Sequence, residues 1–161
     1  MPKLQSAGIL AYRRRDGAVE VFLVHPGGPF WKNKDAGAWT IPKGEFSDEE
    51  LPLVAAQREF AEETGGTVEG TFHALPPRKM RSGKTIHAWA VEAEIDPAKL
   101  SSNTFSIEWP PRSGKKQVYP EVDRAAWFPA AEALRKINKG QAPLITQVLK
   151  TLGIPPPQPS S

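Results

Sequence analysis

Glu59, Glu62 and Glu63 stand at i, i+3 and i+4, spacings that on a helix crowd three carboxylates onto one arc of its surface. Like charges so close raise one another's pKa unless a cation compensates. The cluster offers hard oxygen donors and contains neither His nor Cys, which suits Mg²⁺, with Mn²⁺ as a substitute, rather than zinc. The whole stretch reads Gly44, five residues, Glu50, seven residues, then Arg58-Glu59-Phe60-Ala61-Glu62-Glu63-Thr64-Gly65. An acidic triplet alone is ordinarily a solvated helix face. Seven positions in one register make this one a candidate metal site.

A helix must carry these carboxylates, and the flanking residues bound it. Pro52 is tolerated only in a first helical turn, so the helix starts near Glu50 or Leu51. Gly65 is its stop, which puts the cluster in the last turns, where the negative end of the macrodipole adds to the repulsion. Upstream, residues 7–12 and 19–24 are apolar, β-favouring runs, and Asp16-Gly17 marks a hairpin turn between them. Residues 25–37 read as loop, 38–41 as a short strand, and Pro42-Lys43-Gly44 as a turn.

Downstream, 84–95 reads as a long strand with Ile86, Ala88, Ala90 and Ala93 interleaved, and 104–109 and 125–128 as further strands. Residues 110–120 read as a turn-rich basic loop carrying Arg112, Lys115 and Lys116. Residues 129–137 and 142–152 read as helices, the second closed by Gly153, and 155–161 as a proline-rich, disordered tail. Strands on both sides of one helix, followed by further helices, give an α/β fold. Residues 1–154 are expected to form a single domain.

Composition narrows the partners. The 161 residues include 21 basic and 18 acidic side chains, a net charge of +3. That excess suits a phosphate-rich small ligand and falls short of a nucleic-acid binder's basic stripe. There is no cysteine, so disulfides and thiolate sites are excluded. No apolar run reaches the roughly 20 residues of a membrane span, and no apolar signal segment follows Met1. The expectation is a cytoplasmic protein, monomer or weak dimer, with a nucleotide-type substrate and neither membrane nor nucleic acid as partner.

At Gly44, Glu50, Arg58, Glu59, Phe60, Glu62, Glu63 and Gly65 the chain resembles the Nudix hydrolase superfamily, whose box is G-x5-E-x7-R-E-U-x-E-E-x-G-U, with U bulky and apolar. Phe60 fills the first U; Gly66 stands at the last, with the next apolar residue at Val68. The resemblance covers about residues 6–150. It implies an α/β/α sandwich with a mixed sheet and a Mg²⁺-dependent enzyme that splits a diphosphate linked to another moiety. It implies Glu59 and Glu63 as metal ligands, and Glu62 as a ligand shared with a second metal or as the base that takes the water's proton. It further implies that Arg58 orients a neighbouring glutamate, that Gly44 lets backbone approach the metal, and that the carbonyl of Lys43 is a further ligand; Glu50, near the helix start where an anion is favoured, reads as structural.

Many members of the superfamily add a glutamate six residues ahead of a tryptophan. Glu121 stands so before Trp127, and is the candidate metal ligand or general base, with Glu108 and Asp123 as fallbacks. For substrate, Trp31, Trp39, Phe46 and Trp109 are candidate base-stacking residues. Lys32, Lys43, Lys79, Arg81 and Lys84 are candidates for phosphate.

Three segments resemble the asymmetric diadenosine tetraphosphate hydrolases within the superfamily: residues 6–13, 39–44, and Lys84-Thr85-Ile86 with Trp89. The tyrosine those enzymes commonly carry near the long strand is replaced here by Ala88. The expected substrate is a dinucleoside polyphosphate, cleaved from diadenosine tetraphosphate to AMP and ATP. A nucleoside triphosphate pyrophosphohydrolase and a nucleotide-sensing module without catalysis are the alternatives.

Overall fold

The computed structural model describes residues 5–155. Nine strands and three helices occur among them: β1 (Gln5–Arg15), β2 (Ala18–Pro26), β3 (Lys43–Glu45), α1 (Pro52–Thr64), β4 (His73–Ala74), β5 (Arg78–Lys79), β6 (Thr85–Glu92), β7 (Thr104–Glu108), β8 (Lys116–Pro120), β9 (Val122–Pro129), α2 (Ala130–Lys136) and α3 (Ala142–Thr151). Asp16 and Gly17 both have positive φ, 52° and 79°, which is the primed turn the Asp-Gly pair favours.

The main sheet runs β4-β6-β1-β2-β9, with β3 paired to β1 and β5 to β6. β1 and β6 are parallel and the other pairs antiparallel, so the sheet is mixed. Alternation along its central strands divides the core in two. Leu10, Val21, Leu23, Ile86 and Ala88 face α2 and α3, whereas Ala7, Ile9, Phe22, Val24 and Val91 face α1. Helices cover both faces, giving the α/β/α sandwich.

Phe60, buried from α1 against Phe22, anchors that helix to the sheet. Burying such a ring contributes about 1.5–3 kcal/mol. Val68 joins that cluster, so the apolar position displaced by Gly66 is filled from the following loop. Gly65 closes α1 in the left-handed conformation, φ 80°, and its N–H donates to the Ala61 carbonyl.

Two expected elements differ. Residues 38–41 form no strand and make only isolated bridges, Val24 to Thr40 and Trp39 to Ile137. Their backbone groups are drawn elsewhere: Trp39 N–H donates to the Lys136 carbonyl and Ile41 N–H to Gln141 Oε1. Pro42 has no N–H to extend a ladder, and the strand is instead Lys43–Glu45, antiparallel to the start of β1. The basic loop 110–120 is a turn only in its first half. Lys116–Pro120 pairs with β7 in a separate two-stranded ribbon. Of the tail expected at 155–161, all but Pro155 lies outside the described residues.

Candidate metal and substrate site

α1 delivers Glu59, Glu62 and Glu63 from its last two turns. Arg58 organises them. Its guanidinium donates to both carboxylate oxygens of Glu50, at 2.8 and 2.9 Å, to Glu59 at 2.8 Å and to Glu62 at 3.2 Å. These charge-assisted bonds raise the Arg58 pKa above its ordinary range, first through Glu50. Glu50 is held against this arginine just ahead of α1. Glu63 turns the other way and accepts the Lys43 backbone N–H at 3.2 Å.

Gly44 sits directly beneath Glu59. A Cβ built there would stand inside contact distance of the Glu59 carboxylate, so glycine leaves that carboxylate its place over β3. We expect Gly44→Ala to push the carboxylate aside. Because the clashing atoms end a flexible side chain, Tm should stay within a few degrees while Mn²⁺ affinity drops about tenfold or more. Titration calorimetry beside a thermal melt reads both; unchanged affinity would remove Gly44 and Glu59 from the site.

Glu121 reaches the cluster from a distant part of the chain. The Asn103 N–H donates to the Glu62 carbonyl at 2.8 Å, and the Glu121 N–H donates to the Asn103 carbonyl at 2.8 Å. Asn103 therefore ties the root of the β7–β8 ribbon to the end of α1. The carboxylates sense one another there. Burial raises the pKa of Glu121, with Glu62 adding to the rise. Burial likewise raises Glu59, where Arg58 pulls the other way and Glu62 and Glu121 push further up. Burial pushes Glu63 up to about 8, against its bond from the Lys43 amide and with Glu59 and Glu121 reinforcing it.

The donor set is all carboxylate oxygen, which fits a hard divalent cation. Among the described residues no three acidic or imidazole groups converge as a preformed metal cage. The carboxylates are turned toward Arg58 and the Lys43 amide instead, and one arginine shared by Glu50, Glu59 and Glu62 leaves the cluster anionic. Glu59, Glu62, Glu63 and Glu121 are the residues that would hold the cation.

The fallback acids do not join them. Asp123 is held by the His25 ring at 2.8 Å, and Glu108 lies at the far end of the ribbon opposite Lys116. Among the cations, Lys84 pairs with Glu45, next to Gly44. Burial lowers the Lys43 pKa, partly opposed by Glu63. Arg81 lies in the exposed β5–β6 turn and Lys79 on the short β5.

Trp39 is core: it is buried, donates to Asp35 and packs edge-on against Phe128. Trp31 remains partly exposed, with Lys34 Nζ 5.1 Å from its ring centre, and Trp109 packs against the exposed Phe30. Phe46 is half-buried beside His87. Two contributors were not legible in the sequence. Asn103 acts only through its backbone, and His25 carries no motif beyond its place before Pro26-Gly27-Gly28.

With this geometry in place, the class is defined. The NUDIX domain model matches residues 2–148, and the chain belongs to the Nudix family, with the charged positions of the hydrolase box all intact. The chain is 33% identical over 90 residues to the RNA pyrophosphohydrolase of Caulobacter vibrioides, a match covering 48% of this chain and 52% of that protein. It thus spans about half the length of the curated relative it matches. In fold it is similar to an Ap4A hydrolase of C. elegans in a binary complex, with TM-score 0.66, 22% identity, and 92% and 98% of the two chains covered. It is also similar to the NUDIX domain of Shewanella oneidensis NrtR complexed with ADP ribose, with TM-score 0.65, 17% identity, and coverage of 94% and 90%.

Proposed function

We propose that this Nudix hydrolase is a Mg²⁺-dependent pyrophosphohydrolase whose substrate is a dinucleoside polyphosphate. The observation that carries the reading is the backbone link through Asn103, which ties the segment carrying Glu121 to the last turns of α1, where Glu59, Glu62 and Glu63 project. Bound Mg²⁺ supplies charge neutralisation at the phosphoryl oxygens and makes a water more acidic.

The protein's residues do the rest. Glu59 and Glu63 bind the cation, assisted by the Lys43 carbonyl, and Arg58 holds Glu59 and Glu62 in place. Glu121 or Glu62 takes the proton from the attacking water. Attack at an end phosphorus forms the new P–O bond and breaks the adjacent P–O–P bridge, giving AMP and ATP from diadenosine tetraphosphate. An intact acidic set argues against a sensor that binds without hydrolysis.

Substrate breadth is supported by the β7–β8 ribbon. It is rooted at Glu121, and its far end carries Arg112, Lys115 and Lys116. Five residues of strand span roughly 17 Å, a reach suited to phosphates and a base beyond the cleaved bond. Lys84 and Arg81 on the other flank, and Trp31, are the further contacts proposed for the substrate.

A panel of diadenosine tetraphosphate, nucleoside triphosphates and 5′-triphosphate RNA tests this. The expected result is AMP plus ATP, a kcat/KM above that for any mononucleotide, and a KM that rises with salt because the contacting cations are exposed. Pyrophosphate released preferentially from a mononucleotide would overturn the substrate and leave the metal chemistry standing. Preference for the RNA would favour a second reading, which the relation to the Caulobacter vibrioides enzyme supports.

A further inference from the structure

We propose that His25 is a positioning residue for Glu121: a buried imidazole that cross-ties the loop 27–37 to the start of β9 and so sets where the Glu121 carboxylate stands. The ring is fully buried at the end of β2. Its Nδ1 lies 2.8 Å from Asp123 Oδ1 and its Nε2 lies 2.6 Å from the Lys34 carbonyl. Both neighbours are acceptors, and in either tautomer the ring donates to one of them while packing against the other.

The backbone repeats the tie. Gly27 N–H donates to the Glu121 carbonyl at 2.9 Å, where the β2–β9 register shifts between His25 and Pro26. Glu121 is thereby gripped on both sides: its carbonyl by Gly27, and residue 123 by the His25 ring. The Trp39 ring, 5.2 Å away and edge-on, closes the imidazole off from water. The Lys34 end of the tie holds the loop 27–37 to the same ring.

This inference rests on the reading of Glu121 as ligand or base, and the test separates the two. In ¹⁵N-histidine spectra of the metal-free protein, one imidazole should show a slowly exchanging ring N–H signal that is absent in His25→Gln. His25→Gln should lower kcat about tenfold or more with KM within about twofold, the scale of lost ligand-orienting partners. On a Glu121→Gln background the same change should cost nothing further, because His25 acts through that side chain.

Asp123→Ala, which removes the carboxylate facing Nδ1, should reproduce the non-additivity and stands in if His25→Gln does not fold. A His25 ring N–H that exchanges freely with water, or losses that add in full, would overturn the proposal. If the wild type cleaves no phosphoanhydride, the hydrolase reading falls. The ring signal and Mn²⁺ affinity would then still decide the cross-tie: His25→Gln should weaken Mn²⁺ binding in the wild type and not in Glu121→Gln.

Discussion

Glu63→Gln lowers turnover by about a hundredfold or more while the protein stays folded. The amide keeps the shape of the side chain and an oxygen to accept the Lys43 N–H, so the contact between α1 and β3 survives. What disappears is the negative charge that a divalent cation needs. Phosphate-release kinetics with saturating Mg²⁺ measures the loss, and near wild-type turnover would sink the assignment.

A second readout follows from the same side chain. In the fold Glu63 titrates near 8 against an ordinary value of 4.5, raised by burial. Between those values the folded protein keeps a proton that the unfolded chain has already released. Metal-free stability therefore falls as pH rises from about 4.5 to about 8 and levels off above. Glu59 and Glu121, also raised, steepen the same decline. In Glu63→Gln the slope should be shallower and the chelator-treated variant should melt higher than wild type at pH 8, the difference vanishing toward pH 4. Parallel slopes in the two proteins would show that the carboxylate is not strained by burial.

Glu121→Gln is expected to lower kcat by about a hundredfold with KM little changed, because a ligand or base acts on the transition state more than on substrate binding. Its backbone bonds to Asn103 and Gly27 do not involve the carboxylate, so folding should be unaffected. A change confined to KM would move Glu121 to substrate binding. No change at all would leave Glu62 as the base, since Asp123 is engaged by His25 and Glu108 lies at the far end of the ribbon.

Much of this site is local, and that is why it can be read from residues alone. The spacing of Glu59, Glu62 and Glu63 fixes their common face through helix geometry, whatever the rest of the chain does. Pro52 and Gly65 bound α1 by steric rules that act over a few residues, and Asp16-Gly17 sets its hairpin in the same way. Alternation in β1, β2 and β6 marks strands buried on both faces.

Other features depend on partners far along the chain. Residues 38–41 have the composition of a strand, but Gln141 and the end of α2 capture their backbone groups, a competition no local pattern reveals. Trp39 could equally stack on a base or fill a core until the positions of His25 and Phe128 made it core. Lys116–Pro120 becomes a strand because β7 lies opposite to receive its hydrogen bonds. Glu121 could be nominated from its distance to Trp127, but its approach to α1 runs through Asn103, and His25, 98 residues before Asp123, holds the chain that follows it. The residue types and their local spacing determined which chemistry this protein can do. Only the tertiary structure decided which distant groups share the site, because burial and hydrogen-bond satisfaction are settled by contacts that no short stretch of sequence contains.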